Sequence, residues 1–102
     1  MELDQEIISE QVIRKEKEKA RRLRNSAWWM KKTHKGVCYY CNCKVGQANL
    51  TMDHVVPLSR GGKSKKGNIV PACKECNNRK KYLLPIEWEE YLKALSERSS
   101  SV

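Results

Sequence analysis

The fold is decided by residues 50–81, which read LTMDHVVPLSRGGKSKKGNIVPACKECNNRKK. An apolar run rich in β-branched residues leads into the adjacent acid and base Asp53-His54. A Gly61-Gly62 turn, a basic loop and a second apolar segment follow, and then come Cys73-x-x-Cys76 and two asparagines. A carboxylate, an imidazole, amide side chains and half of a metal site thus lie close together in the sequence.

This stretch predicts two short strands followed by a helix. Residues 50–56 and 69–72 have strand composition, whereas residues 74–84 are predicted to be helical. Pro57 cannot donate to a strand ladder, so regular pairing should fail near it. Pro85 should end the helix and open the next one at its first position.

The segment before this stretch is predicted to be one long basic helix over residues 2–33, which Gly36 ends. Its first half carries an apolar stripe, which either packs within the chain or forms a homodimer. Acidic residues do not occur in this segment beyond Glu18, whereas basic residues continue up to Lys35. This asymmetry favours a helix that lies along a phosphate backbone over one that is merely charged and solvated. At least one of Trp28 and Trp29 should lie in the core.

The segment after the stretch is predicted to be a C-terminal helix. Trp88, Tyr91, Leu92 and Leu95 recur at helical spacing and are expected to face the core. The glutamates at the start of this helix suit the positive end of its dipole, and we interpret them as structural.

Composition limits the class of protein. The chain has 102 residues and a net charge of +9, with 39% hydrophobic residues and no Phe. It is expected to form one small domain with a limited core. The charge attracts polyanions, of which nucleic acid is the usual one, although charge alone also fits a soluble basic surface.

No apolar run approaches the ~20 residues that span a bilayer, and the start of the chain lacks a signal-peptide pattern. We therefore expect a reducing, cytoplasmic location without disulfides and without a membrane partner.

Two cysteine pairs predict a structural metal site. Cys38-x-x-Cys41 and Cys73-x-x-Cys76 together are typical of one tetrahedral Zn²⁺ bound by four thiolates. The competing interpretation, a redox pair, would require a βαβ context that the sequence does not show. Cys43 is most simply a free thiol. A closed four-thiolate site leaves no open position for chemistry.

The order of these motifs resembles the HNH endonuclease family, whose nuclease site is a ββα-metal fold around one divalent ion. The resemblance covers about residues 37–82. It rests on the two cysteine pairs, Asp53-His54, the PLSRGG of residues 57–62, Asn68, Asn77 and Arg79-Lys80. It implies an α+β fold with a ββα-metal (HNH/His-Me finger) core, cross-linked by a four-cysteine zinc site and flanked by an N-terminal basic helix and a C-terminal helix. We divide the chain into residues 1–35, 36–84 and 85–102, all within one compact domain.

The resemblance also implies roles for individual residues. His54 would be the general base, Asp53 and Asn77 would bind a catalytic Mg²⁺ or Mn²⁺, and Asn68 would brace the loop that positions His54. Asn77 stands where many members carry His, and its amide oxygen suits Mg²⁺ better than an imidazole-rich site would. Asn78 is adjacent, but the spacing from Asn68 favours Asn77.

Asp53 and His54 can act together only if their side chains converge. Neighbours on a regular strand point to opposite faces, so the two side chains reach one phosphate only if the strand breaks up near Pro57. We expect that break.

Several basic residues are candidate phosphate contacts, and each of them has a solvated surface charge as its alternative. They are Arg21, Arg22, Arg24, Arg60, Lys63, Lys65, Lys66, Arg79 and Lys80. The expected function is metal-dependent cleavage of double-stranded DNA with low sequence specificity, by nicking or double-strand cleavage, in a monomer or homodimer. The alternatives are a non-catalytic zinc-ribbon-like nucleic-acid-binding module and a metal-containing adaptor for protein partners.

Overall fold

The structure is a computed structural model that describes residues 8–100, with side chains described for residues 8–97. Helices flank a two-stranded antiparallel sheet that is followed directly by a short helix, which confirms the predicted α+β class. The elements in order are α1 (Glu10–Arg24), α2 (Ala27–Thr33), β1 (Leu50–His54), β2 (Ile69–Cys73), α3 (Lys74–Lys80) and α4 (Pro85–Ser100). Among residues 8–100, no helix is long and apolar enough to cross a membrane.

The predicted single N-terminal helix is wrong, because two helices, α1 and α2, occupy its described part. Residues 2–7 of that prediction lie outside the described residues. Ser26 separates the helices: its Oγ accepts a hydrogen bond from the Trp29 N–H at 3.4 Å and donates to the Leu23 carbonyl at 2.5 Å. A serine that caps one helix and bonds the end of the previous one favours a break over continuation. Trp29 is buried, as expected for at least one of the two tryptophans.

The sheet pairs Leu50 with Cys73 and His54 with Ile69 in a regular antiparallel register. All five residues of β2 are buried, so β2 lies at the centre of the structure. β1 ends at His54, two residues earlier than predicted. There the Asn68 side chain replaces the ladder, because its Oδ1 accepts the Val56 N–H at 2.9 Å.

The predicted helix over residues 74–84 is shorter than expected. α3 ends at Lys80, because Lys81 adopts a positive φ of 48° that stops the helix. Pro85 opens α4, as predicted.

The core-facing stripe on α4 is only partly as predicted. Trp88 is 5% exposed and packs on Tyr40 with ring centroids 5.6 Å apart. Leu95 is half-buried, and Tyr91 stacks on Trp88 while remaining partly exposed. Leu92 is exposed, so the prediction is wrong for it. The physical reason is that no other helix or strand among the described residues packs along α4.

Candidate metal centre and active site

The four predicted cysteine ligands form one cluster. The ligand atoms of Cys38, Cys41, Cys73 and Cys76 all lie within 4.8 Å of one another, and Cys41 Sγ is 3.9 Å from Cys73 Sγ. A tetrahedral ion with bonds of ~2.3 Å would place its sulfur ligands ~3.8 Å apart. The cluster therefore fits a tetrahedral ion such as zinc, as the sequence predicted, and Cys43 is not one of its members.

Local backbone geometry positions these sulfur atoms. Asn42 adopts a positive φ of 61° and its N–H donates to the Cys38 carbonyl at 3.0 Å, which folds the first pair into a tight turn. Cys73 ends β2 and caps α3, and its Sγ accepts the Cys76 N–H at 3.5 Å. Each pair thus presents two sulfur atoms from one turn.

Hydrogen bonds prepare the most buried cysteine for a metal. Burial acts to raise the pKa of the Cys38 thiol, but hydrogen bonds from backbone N–H groups outweigh it and lower that pKa to about 7. One of these bonds comes from the Tyr40 N–H at 3.3 Å. Burial raises the pKa of Cys76. Metal binding at this centre therefore has a thiolate available near neutral pH, the form that binds metal.

Asp53 lies in a buried polar cluster. Its Oδ2 accepts a hydrogen bond from the Tyr40 hydroxyl at 2.5 Å and lies 3.3 Å from Lys80 Nζ. The Lys80 side chain is 0% exposed, and its Nζ also donates to the carbonyls of His54 and Val55 at 3.2 and 3.1 Å. Burial, followed by the bond to Asp53, raises the pKa of Tyr40, so this phenol stays protonated and donates.

This placement corrects one sequence prediction. Lys80 was expected to contact phosphate, but its ammonium group is enclosed and bonded to Asp53 and to the end of β1. A buried lysine needs an internal partner of this kind. In this structure the Lys80 ammonium group therefore binds groups inside the protein and is not exposed to a phosphate.

His54 lies at the end of β1 in a different environment. Its Nε2 is 2.9 Å from Ser64 Oγ. Burial lowers the pKa of His54 below its ordinary value, although the nearby carboxylates of Asp53 and Glu16 act in the opposite direction. The imidazole is therefore neutral at neutral pH and able to accept a proton.

The predicted residues do not all meet at one point. β1 stays regular through His54, so the strand break that we expect near Pro57 comes after both residues, and the alternation of a regular strand places Asp53 and His54 on opposite faces. Asn77 is on the Asp53 side: its Nδ2 donates to Thr51 Oγ1 at 2.8 Å, and Thr51 shares the face of Asp53. Asn77 therefore bonds to the face of β1 that carries Asp53, whereas His54 bonds to Ser64 of the basic loop.

Asn68 bonds to the loop that follows His54. Its side-chain amide donates to the Val56 carbonyl at 3.0 Å and to the Lys63 carbonyl at 2.9 Å. The backbone carbonyl of Asn68 accepts the Val55 N–H at 2.9 Å. These bonds fix the loop relative to β2, which is the geometry that a bracing role requires.

Most of the predicted phosphate contacts are exposed, but some have partners within the protein. Arg60 forms two hydrogen bonds to the Glu87 carboxylate, at 3.1 and 3.4 Å, and so connects the loop to α4. Lys66 Nζ lies 5.9 Å from the centroid of the Trp28 ring, which brings the basic loop to α2. Arg21 pairs with Glu18, and Arg79 pairs with Glu75 at 3.4 Å, each within its own helix. The remaining exposed members are Arg22, Arg24, Lys63 and Lys65.

Three residues of this region were not singled out by the sequence. Tyr40 donates a hydrogen bond to Asp53, and Ser64 is hydrogen-bonded to His54. Glu16 accepts a hydrogen bond from Ser64 and so acts on His54 indirectly. A buried serine within a basic loop and an acid within a basic helix are weak signals, and only the fold brings them together.

Comparison with known proteins identifies the family. Residues 38–90 match the sequence profile of the HNH endonuclease family. A segment of 44 residues is 36% identical to the CRISPR-associated endonuclease Cas9 of Actinomyces naeslundii, which covers 42% of this chain and 4% of that relative. The chain thus spans only a small part of the length of this curated relative. The profile covers just over half of the chain, including both strands and all four clustered cysteines, and the chain therefore belongs to the HNH endonuclease family.

Proposed function

We propose that the protein is a DNA endonuclease that hydrolyses phosphodiester bonds with His54 as the general base. The observation that carries the proposal is the state of His54, which is neutral at neutral pH because burial lowers its pKa, and which is anchored at Nε2 by Ser64. Membership of the family supports nuclease activity. The net charge of +9 supports a nucleic acid as the substrate.

In the proposed mechanism, His54 accepts the proton of the attacking water and later releases it to solvent. Asp53 and Asn77 would hold a Mg²⁺ or Mn²⁺ ion, because both offer hard oxygen ligands and lie on the same side of β1. Such an ion would stabilise the negative charge that develops on the phosphate and the leaving oxygen. Exposed basic side chains such as Lys65 would bind the DNA backbone without reading its sequence.

The proposal includes a local change at the end of β1. Asp53 Oδ2 is bonded to Tyr40 and Lys80, so a divalent cation would have to displace Lys80 to reach it. We expect cation and DNA binding to release Asp53 from Lys80, while His54 keeps its bond to Ser64. A crystal structure with DNA and Mn²⁺ tests this, since it should show Asp53 bound to the cation and no longer bonded to Lys80. Bound Mn²⁺ and DNA with the Asp53–Lys80 contact intact would contradict the change.

We also propose that the clustered cysteines bind zinc. The four sulfur ligands match the preference of Zn²⁺ for a closed thiolate site, and such a site is structural. Reduced cysteines of this kind fit the predicted cytoplasmic location. Elemental analysis of purified protein should give one zinc per chain.

A second candidate is a nucleic-acid-binding module without catalysis. The observation that favours it is the buried Asp53–Lys80 ion pair, which already supplies Asp53 with a cation. Cleavage of supercoiled plasmid with EDTA, Mg²⁺ or Mn²⁺, measured beside DNA binding, separates the two. Metal-dependent nicking supports the enzyme, whereas salt-sensitive binding without nicking under any metal supports the module.

A further inference from the structure

Ser64 differs from its neighbours in the basic loop. Lys63 and Lys65 are exposed, whereas Ser64 is only 8% exposed. Its hydroxyl oxygen lies between two polar groups, 2.9 Å from His54 Nε2 and 2.5 Å from the backbone carbonyl oxygen of Glu16. The loop therefore turns one polar side chain inward at the histidine that we propose as the base.

The direction of these two hydrogen bonds follows from counting protons. A serine hydroxyl carries one hydrogen, and a carbonyl oxygen only accepts, so Ser64 donates its hydrogen to Glu16. Toward His54 the Ser64 oxygen can then only accept, so Nε2 must carry a hydrogen. In the neutral ring this leaves Nδ1 as the nitrogen with a free lone pair.

Glu16 fixes Ser64 through a second bond. The Ser64 N–H donates to Glu16 Oε1 at 2.6 Å, and Lys19 Nζ holds Glu16 Oε2 at 3.2 Å. The bond from the Ser64 N–H also lowers the pKa of the Glu16 carboxyl, which is therefore ionised at neutral pH and a strong acceptor. Glu16 is only 5% exposed although it lies in the basic helix α1. Its burial is explained by this contact.

We propose that α1 is part of the active site, with Ser64 as a positioning residue that Glu16 holds in place and that in turn fixes the orientation and the Nε2–H tautomer of His54. The inference rests on the proposed function, because it concerns the residue that we propose as the base. It adds a helix that lies outside the matched region, residues 38–90, to the machinery of the reaction. A general base needs a fixed orientation and a defined tautomer to accept a proton from one water molecule.

Nitrogen NMR of the His54 ring tests the proposal without cleavage. At neutral pH the wild-type protein should show a protonated Nε2 and an unprotonated Nδ1. Ser64→Ala should give a mixture of tautomers, whereas Ser59→Ala, which changes an exposed serine of the same loop, should leave the ring unchanged. A protonated Nδ1 in the wild type, or an unchanged ring in Ser64→Ala, would overturn the proposal.

Kinetics test the role in the reaction. We expect Ser64→Ala to lower kcat for DNA cleavage between about 10-fold and 100-fold with little change in KM, because misplaced catalytic groups cost rates of that order. Glu16→Ala should also lower kcat, and Glu16→Gln should restore most of it since its amide oxygen still accepts the Ser64 N–H. Wild-type kcat in both Ser64→Ala and Glu16→Ala would refute the positioning role. A wild-type protein that does not cleave would instead refute the proposed function, and the ring tautomer would still decide whether the contact exists.

Discussion

At the scale of single residues, two buried polar contacts define the end of β1. Lys80 binds Asp53 and two backbone carbonyls, and Ser64 binds His54 and Glu16. Each contact joins β1 to an element distant in the sequence, α3 in one case and α1 in the other. The candidate catalytic pair is therefore positioned by the helices that enclose the sheet.

Replacing Lys80 should be costly for stability. Lys80→Met removes the ammonium and leaves the Asp53 carboxylate buried with the Tyr40 hydroxyl as its remaining partner. Breaking a buried ion pair in this way costs about 3–5 kcal/mol. Urea denaturation measures the loss, with Lys74→Met as the control at an exposed position of the same helix. A loss no larger than that of the control would show that the ion pair is not formed.

The pH dependence of stability should report His54. Burial lowers the folded-state pKa of His54 below its ordinary value of about 6.5, so the unfolded chain binds the proton more readily. The contribution of His54 to the free energy of unfolding is therefore full above its pKa in the unfolded chain. It is lost as the pH falls through its pKa in the folded protein. Between about pH 7.5 and pH 5.5, wild-type protein should lose more free energy of unfolding than His54→Gln, both with saturating zinc. Equal losses would contradict the lowered pKa.

At the scale of elements, the basic loop and the helices surround the site with positive charge. Lys65 and Lys63 are exposed beside the buried Ser64, and Lys66 reaches Trp28 of α2. Exposed loop cations next to a candidate nuclease site suit contacts to a phosphate backbone. Arg60 is less suited, because Glu87 already binds its guanidinium.

The loop cations should determine part of the salt dependence of DNA binding. If Lys65 neutralises one phosphate, Lys65→Gln should reduce the slope of log affinity against log salt by about 0.9. Lys93→Gln, which removes an exposed charge from α4, should leave the slope unchanged. Fluorescence anisotropy over a salt series measures both. Identical slopes for the two variants would show that Lys65 does not neutralise a DNA phosphate.

The elements differ in how well the sequence predicts them. The strands and the cysteine cluster were predicted because their signals are local and strong, namely β-branched runs and paired Cys-x-x-Cys spacing. The break at Ser26 was not, because its capping bonds compete with a helical pattern that continues on both sides. The Ser64–Glu16 contact joins residues 48 positions apart, and the burial of Lys80 depends on packing. Neither leaves a periodic signal in the sequence.

At the scale of the whole molecule, the shape is thin and the core is small. The principal extents are 47 × 39 × 18 Å, and the radius of gyration is 15.3 Å. A compact chain of this length has a radius of about 13 Å. One hydrophobic cluster consists of Cys38, Ala72 and Cys73, so two of the candidate metal ligands occupy part of the core itself. Folding should therefore depend on the metal.

Removal of the metal should unfold the protein. A strong chelator at neutral pH is expected to abolish the cooperative thermal transition, and added Zn²⁺ should restore it, because binding at a thiolate site is coupled to folding. Circular dichroism follows both steps. Cys73→Ser should behave like the chelated protein, whereas Cys43→Ser should melt like the wild type, since Cys43 lies outside the cluster. An unchanged melting curve after chelation would contradict the structural role of the metal.

The most direct test of the central claim uses the two histidines of the chain. Nicking of supercoiled plasmid with Mg²⁺ or Mn²⁺ is compared between wild type, His54→Ala and His34→Ala, where His34 is the exposed matched control. We predict that His54→Ala binds DNA like the wild type but cleaves it at least about 100-fold more slowly, as expected for loss of a general base. His34→Ala should cleave at the wild-type rate. Wild-type cleavage by His54→Ala would contradict the account.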